Sequence, residues 1–155
     1  MDMTRCSECG SDQLVEIAAP DTLTIGDQTF AADLPAVRCA ACGGVFFDGP
    51  AVGDFERAVA RELAQRGPAT GETFRFMRKA LGLRAADLAE MLDVTPETLS
   101  RWETGKLPMG RTSWITLSSL VLDYEATAAR LQAAKTGPGL AKAVVRLDMS
   151  RKVSR

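Results

Sequence analysis

Four cysteines and no histidine set the first constraint on this 155-residue chain. They come as two pairs, Cys6-Ser7-Glu8-Cys9-Gly10 and Cys39-Ala40-Ala41-Cys42-Gly43-Gly44. Two residues between cysteines let one tight turn aim both sulfurs at a single ion. A glycine just after the turn can take positive φ and let backbone N–H groups face the thiolates. Two such knuckles make a tetrahedral site, and Cys6, Cys9, Cys39 and Cys42 are then its full ligand set. Four sulfurs favour zinc, with iron the minor alternative. The expectation is one structural Zn2+ per chain. A closed shell leaves no position for a reacting water. No histidine base, carboxylate cluster or phosphate loop stands out either, so the chain is expected not to be an enzyme. Redox use of one C-x-x-C pair would not need two matched knuckles.

No apolar run follows a basic start, as it would in a signal peptide, and none nears the ~18 residues of a membrane span. A cytoplasmic location is expected. In that reducing compartment cysteines serve metals more often than disulfides.

The gap between the knuckles exceeds the common spacing of about 15–20 residues, so a small folded insert has to fill it. Leu14, Val15 and Ile17 form one short apolar run. Thr22-Leu23-Thr24-Ile25 alternates, Gly26-Asp27 suits a two-residue turn, and Gln28-Thr29-Phe30 returns, which is a hairpin signal. Pro35–Arg38 leads into the second knuckle and Val45-Phe46-Phe47 leaves it. So small an apolar set is expected to need the metal to fold. Loss of Cys9 is expected to unfold this front half while the back half stays folded.

From Pro50 to Arg66 the residues Val52, Phe55, Val59 and Leu63 recur at helical spacing, and this helix is expected to pack on the sheet. Gly67-Pro68-Ala69-Thr70-Gly71 is rich in helix breakers and short enough to read as a hinge. Glu72 to Leu81 is a second helix with Phe74, Met77 and Leu81 as its stripe.

Leu83 to Gly105 then reads as two short helices around a tight turn. Leu88, Ala89 and Leu92 line one side of the first, and Asp93-Val94-Thr95 makes the turn. Thr95-Pro96 is a hydroxyl cap followed by proline at the first helical position. Leu99 and Trp102 point inward, Glu97, Thr98 and Arg101 outward, and Gly105 stops the helix in the left-handed conformation. A helix of this kind can enter a major groove and read base edges. Arg101 is expected to read a base, most naturally guanine, with Thr98 and Glu97 tuning its neighbours. Ser100 and Lys106, with Arg84 and Arg111, are placed to hold phosphates.

The net charge of −1 hides a split, −6 over residues 1–66 and +5 over 67–155. The basic half suits phosphates, and the acidic half suits either solvent or a basic protein partner. Thr112 to Leu122 carries Trp114, Ile115, Leu117, Leu120, Val121 and Leu122. So much apolar surface on one helix suits both a core and a dimer interface, and a two-fold protein reads a palindromic operator. Asp123 to Lys135 continues as a more polar helix.

The order Leu88-Ala89, Leu92-Asp93-Val94 and Ser100-Arg101-Trp102-Glu103-Thr104-Gly105 resembles the XRE/Cro-type helix-turn-helix family. That resemblance implies a structural pair between Arg78 and Glu103. With the cysteine ribbon in front, residues 1 to about 125 resemble the MqsA-type (YgiT-type zinc finger) antitoxins. Members of that family bind a small RNase toxin through the zinc domain, dimerise through the C-terminal domain and repress their own operon. The expected architecture is therefore α+β in two domains. A zinc-ribbon-like small β domain with a connector helix covers 1–66, with a linker at 67–71. An all-α helix-turn-helix domain for DNA binding and dimerisation covers 72–136, and a basic tail covers 137–155. The expected partners are double-stranded DNA, a second copy of the chain and a small basic toxin. Three features depart from the family. Glu97 stands where a base-reading asparagine is usual, and Arg84-Ala85 stand where Thr-Gln is common. The tail also runs past the usual end. A stand-alone regulator that senses metal, redox state or a ligand is the alternative reading.

Overall fold

The computed structural model describes residues 4–136. Three strands, β1 (Leu14–Ile25), β2 (Gln28–Cys39) and β3 (Val45–Phe47), precede six helices: α1 (Gly49–Arg66), α2 (Gly71–Ala80), α3 (Ala85–Met91), α4 (Pro96–Glu103), α5 (Arg111–Leu122) and α6 (Tyr124–Thr136). The architecture is α+β. The expected basic tail at 137–155 lies outside the described residues.

The sheet is antiparallel with β2 in the centre. Its hairpin runs unbroken from Leu14 opposite Cys39 to Ile25 opposite Gln28, with Gly26-Asp27 as the turn. The sequence suggested several short strands, yet Pro20 and Pro35 both sit inside long ones. Register explains why neither proline costs a ladder bond. The Pro35 carbonyl accepts from Asp48 N–H (3.0 Å), so Pro35 faces away from β1, where β3 pairing has just ended. Pro20, opposite Asp33, has the same parity as Ala18 opposite Pro35, and its ring nitrogen therefore faces the open edge of β1.

One face of the hairpin buries Ala19, Ile25, Leu34 and Ala36, alternating as a half-buried sheet requires. Helix α1 covers part of that face through Phe55, Val59, Ala60 and Leu63, as its spacing predicted. It does more than cover the sheet. Helix α1 touches β2, and it also lies against α2 and α5. The main core is consequently continuous. It runs from Ile25 and Leu34 through α1 to Phe74, Met77, Leu88, Leu99, Trp102, Leu117 and Leu120. The knuckle end of the hairpin stays outside that cluster, and Val15 and Val45 there are exposed.

Three successive helices end in the same way. In α2, Gly82 N–H bonds the Lys79 carbonyl and Leu83 N–H bonds that of Arg78. In α3, Asp93 and Val94 repeat the pattern onto Glu90 and Ala89; in α4, Gly105 and Lys106 repeat it onto Trp102 and Arg101. Each is a paired closure that needs a left-handed residue after the cap. Gly82 and Gly105 supply it with φ of 69° and 70°, and Asp93 supplies it with φ of 55°. Asp93 is thus the strained member of the series and sits in the turn between α3 and α4.

Candidate metal centre and nucleic-acid interface

The two knuckles fold alike. Gly10 N–H bonds the Cys6 carbonyl and Gly43 N–H bonds the Cys39 carbonyl, both at 2.9 Å. Gly10 and Gly43 have φ of 74° and 78°, as a knuckle turn demands. Strand β2 ends on Cys39 directly opposite Leu14, and the Ala40 N–H bonds the Gln13 carbonyl at 2.8 Å, which brings the first knuckle alongside the second.

All four sulfurs lie within 4.8 Å of one another. Cys6 and Cys42 are 3.6 Å apart, as are Cys9 and Cys39, and all four are free thiols. A tetrahedron of thiolates about 2.3 Å from a central zinc has edges of about 3.8 Å, so the donor set fits a single ion. Cys6 and Cys39 are buried, while Cys9 and Cys42 are exposed.

The thiols also show the electrostatic problem that a cation solves. Cys39 is lowered to about 7, first by the Cys42 backbone N–H and then, against burial, by that of Ala41. Cys42 is pushed up to about 12: the Gly44 N–H lowers it, but the Cys6 sulfur, burial and the sulfurs of Cys39 and Cys9 raise it more. Four crowded thiols cannot all ionise against their mutual repulsion, and a bound divalent ion removes that repulsion. The Cys42 thiol also donates to the Glu8 carboxylate at 3.8 Å.

The second site is the outer face of α4. Thr95 caps the helix, its hydroxyl oxygen accepting from Thr98 N–H at 3.2 Å, and Pro96 follows. Leu99 and Trp102 are buried, at 0% and 8% exposure, which fixes the opposite face outward. Trp102 meets Phe74 of α2 edge-on with ring centres 6.3 Å apart. Behind α4, Arg78 grips Glu103 with two bonds of 2.6 and 3.0 Å and bonds the Leu83 carbonyl at 2.7 Å. This is the pair that the resemblance implied, and it is buried.

Of the residues singled out for DNA, Glu97, Ser100, Arg101 and Lys106 are exposed and line one shallow cleft of about 430 Å³. Pro96 and Thr104 complete it. The α4 closure at Gly105 is what turns Lys106 back beside Arg101, since its N–H bonds the Arg101 carbonyl at 2.9 Å. Thr98 differs from its expected outward place. It is half-buried, and its hydroxyl lies 3.1 Å from that of Thr95. Arg84 lies outside the cleft, at the cap position of α3, where Asp87 holds it by bonds of 2.8 and 2.6 Å from Nε and Nη2. That hydrogen bond raises the Arg84 pKa and lowers that of Asp87. Asp87 was not singled out, although its i,i+3 spacing from Arg84 on one helix face is a signal that a sequence shows. Arg111 is exposed at the start of α5.

A helix-turn-helix family model matches residues 74–114 of the chain. No curated protein matches it. The match spans α2, α3 and α4 and the start of α5, so the face just described belongs to an XRE-type helix-turn-helix domain, the mark of a DNA-binding transcription regulator. Among the described residues no helix is long and apolar enough to cross a membrane.

Proposed function

We propose that the chain is a sequence-specific, zinc-containing, homodimeric repressor, and that it is the antitoxin of a toxin–antitoxin pair of the MqsA type. The observation that carries DNA reading is the clustering of Glu97, Ser100, Arg101 and Lys106 on the exposed face of α4 within the matched domain. Arg101 donates to a guanine edge, and Glu97 accepts from a cytosine N4 beside it. Ser100 and Lys106 hold phosphates. Arg84 reaches a third with Nη1, the group that Asp87 leaves free. Thr98 contributes chiefly by keeping the first turn of α4 in place.

Zinc is the ion that four cysteines in this geometry hold best. In this reading it is structural and the chain carries out no covalent chemistry. Exposed Ile115, Leu122 and Tyr124 on and after α5 support a homodimer through the helical half. The acidic front half suits a small basic toxin. In this reading the protein works in the cytoplasm.

Native mass spectrometry of the chain expressed with its neighbouring genes tests all of this together. The expected species is a dimer with one zinc per chain and a bound small basic protein. A metal-loaded dimer alone would reduce the reading to a stand-alone regulator, and a metal-free monomer would contradict it.

A further inference from the structure

The two sites lie on different parts of the chain, but only two junctions separate the hairpin from the recognition helix. The first junction is at the hairpin tip. Ile25 is buried in the same core as Phe74 and Met77 of α2. A Cβ built on Gly26 would stand 3.5 Å from the Glu72 carboxylate, at the start of α2. The second junction is one residue away. A Cβ on Gly71, the first residue of α2, would stand 2.0 Å from the Trp102 carbonyl and 3.0 Å from the Glu103 carbonyl. The backbone at the start of α2 therefore lies directly on the last turn of α4. That turn carries Arg101 and leads into Gly105 and Lys106.

The other end of the same hairpin is the metal cluster. Its twelve paired residues, spaced about 3.3 Å apart, make it a lever of roughly 36 Å from first to last. Its tip half is anchored in the helical core and its knuckle half is held by four thiols. We infer that the hairpin transmits the state of the metal cluster to the recognition helix, through Ile25 and Gly26 onto Glu72 and Gly71, and from Gly71 onto Trp102 and Glu103. The expectation that the back half stays folded when a thiolate is lost is kept, with α4 loosened inside it. Loss of the metal frays the hairpin from the knuckle end and loosens the tip's hold on α2. The C-terminal turn of α4 is the first part of the helical half to respond. The inference uses α4 as a structural reporter and stands whether or not α4 reads DNA.

Hydrogen exchange of the full chain, metal-loaded and after chelation, tests it. Chelation should speed exchange at 6–14 and 39–47, and by about tenfold at 96–107, with 111–122 changing much less. In an Ile25→Ala chain the knuckles should still respond to chelation but 96–107 should not. Glu72→Ala, an exposed change at the same junction, provides the second test without removing core volume. Unchanged exchange at 96–107 on chelation overturns the inference. So does an equal rise at 96–107 and 111–122, which would mean the helical half melts as one unit. So does a metal response at 96–107 that survives both substitutions.

Discussion

The knuckle end and the helical half are held by different physics. Around α2 to α5, Phe74, Met77, Leu88, Leu99, Leu117 and Leu120 are fully buried, and one bidentate ion pair is sealed behind α4. Around the knuckles few side chains are buried, two of the cysteines with Ala36 and Val37, while Val15 and Val45 of the flanking strands face solvent. One region gains its stability from apolar volume, at about 25 cal/mol for each Å² removed from water. The other has less such area, and its four sulfurs are close enough to share an ion. The comparison teaches that the two ends of the molecule are set by different means. The recognition face is set by packing and the knuckle end by its four thiols, with the hairpin joining them.

The largest effect should come from the ligands. Structural zinc sites carry apparent binding energies of about 10–16 kcal/mol, so Cys39→Ser should abolish stoichiometric metal, read as the metal-to-protein ratio of the purified chain. A chain that keeps one ion per copy would break the comparison at once. Next in size is the buried pair. Arg78→Met should cost about 3–5 kcal/mol in urea unfolding by leaving Glu103 buried and alone, and adding Glu103→Leu should restore part of that loss. A double variant less stable than the single one would show that the pair is not what seals the helical half. Gly71→Ala should cost about 1–3 kcal/mol in the same unfolding assay, because a methyl group there has to push the α4 backbone away.

Smaller effects separate function from fold. Arg101→Ala should weaken specific DNA binding by about 1–3 kcal/mol, in a titration at matched salt, with no change in thermal midpoint. Asp93→Gly should stabilise the chain by about 0.5–1 kcal/mol, since glycine takes the left-handed conformation at φ 55° without strain. A destabilised Asp93→Gly chain would mean that the aspartate side chain contributes more than its backbone costs.

Much of this was legible in the sequence because the signals are local. The C-x-x-C-G pairs announced both knuckles, Gly26-Asp27 announced the hairpin turn, and Thr95-Pro96 and Gly105 marked both ends of α4. Leu99 and Trp102 declared the buried face by spacing alone. What the sequence hid depends on register or on distant neighbours. The hairpin read as separate short runs, and only the pairing shows that Pro20 and Pro35 sit inside long strands with their nitrogens facing away from the β1–β2 ladder. Gly71 read as linker, yet its missing side chain is what lets α2 meet α4. Thr98 read as outward by its helical angle; spacing alone does not show that it is half-buried with its hydroxyl beside that of Thr95. The shared core of Ile25 and Leu34 with the helices has no periodic signature at all, since it joins residues from about 20 to about 95 apart in the chain.

The most direct test of the reading of α4 is selection of duplex sites from a random pool with the full chain and with Arg101→Ala. The account predicts an inverted repeat enriched by the native chain, with guanine at one fixed position in each half. It predicts that the Arg101→Ala chain, equally folded and with the same metal content, loses the preference at that position. No enrichment by the native chain, or the same consensus from both, would contradict it.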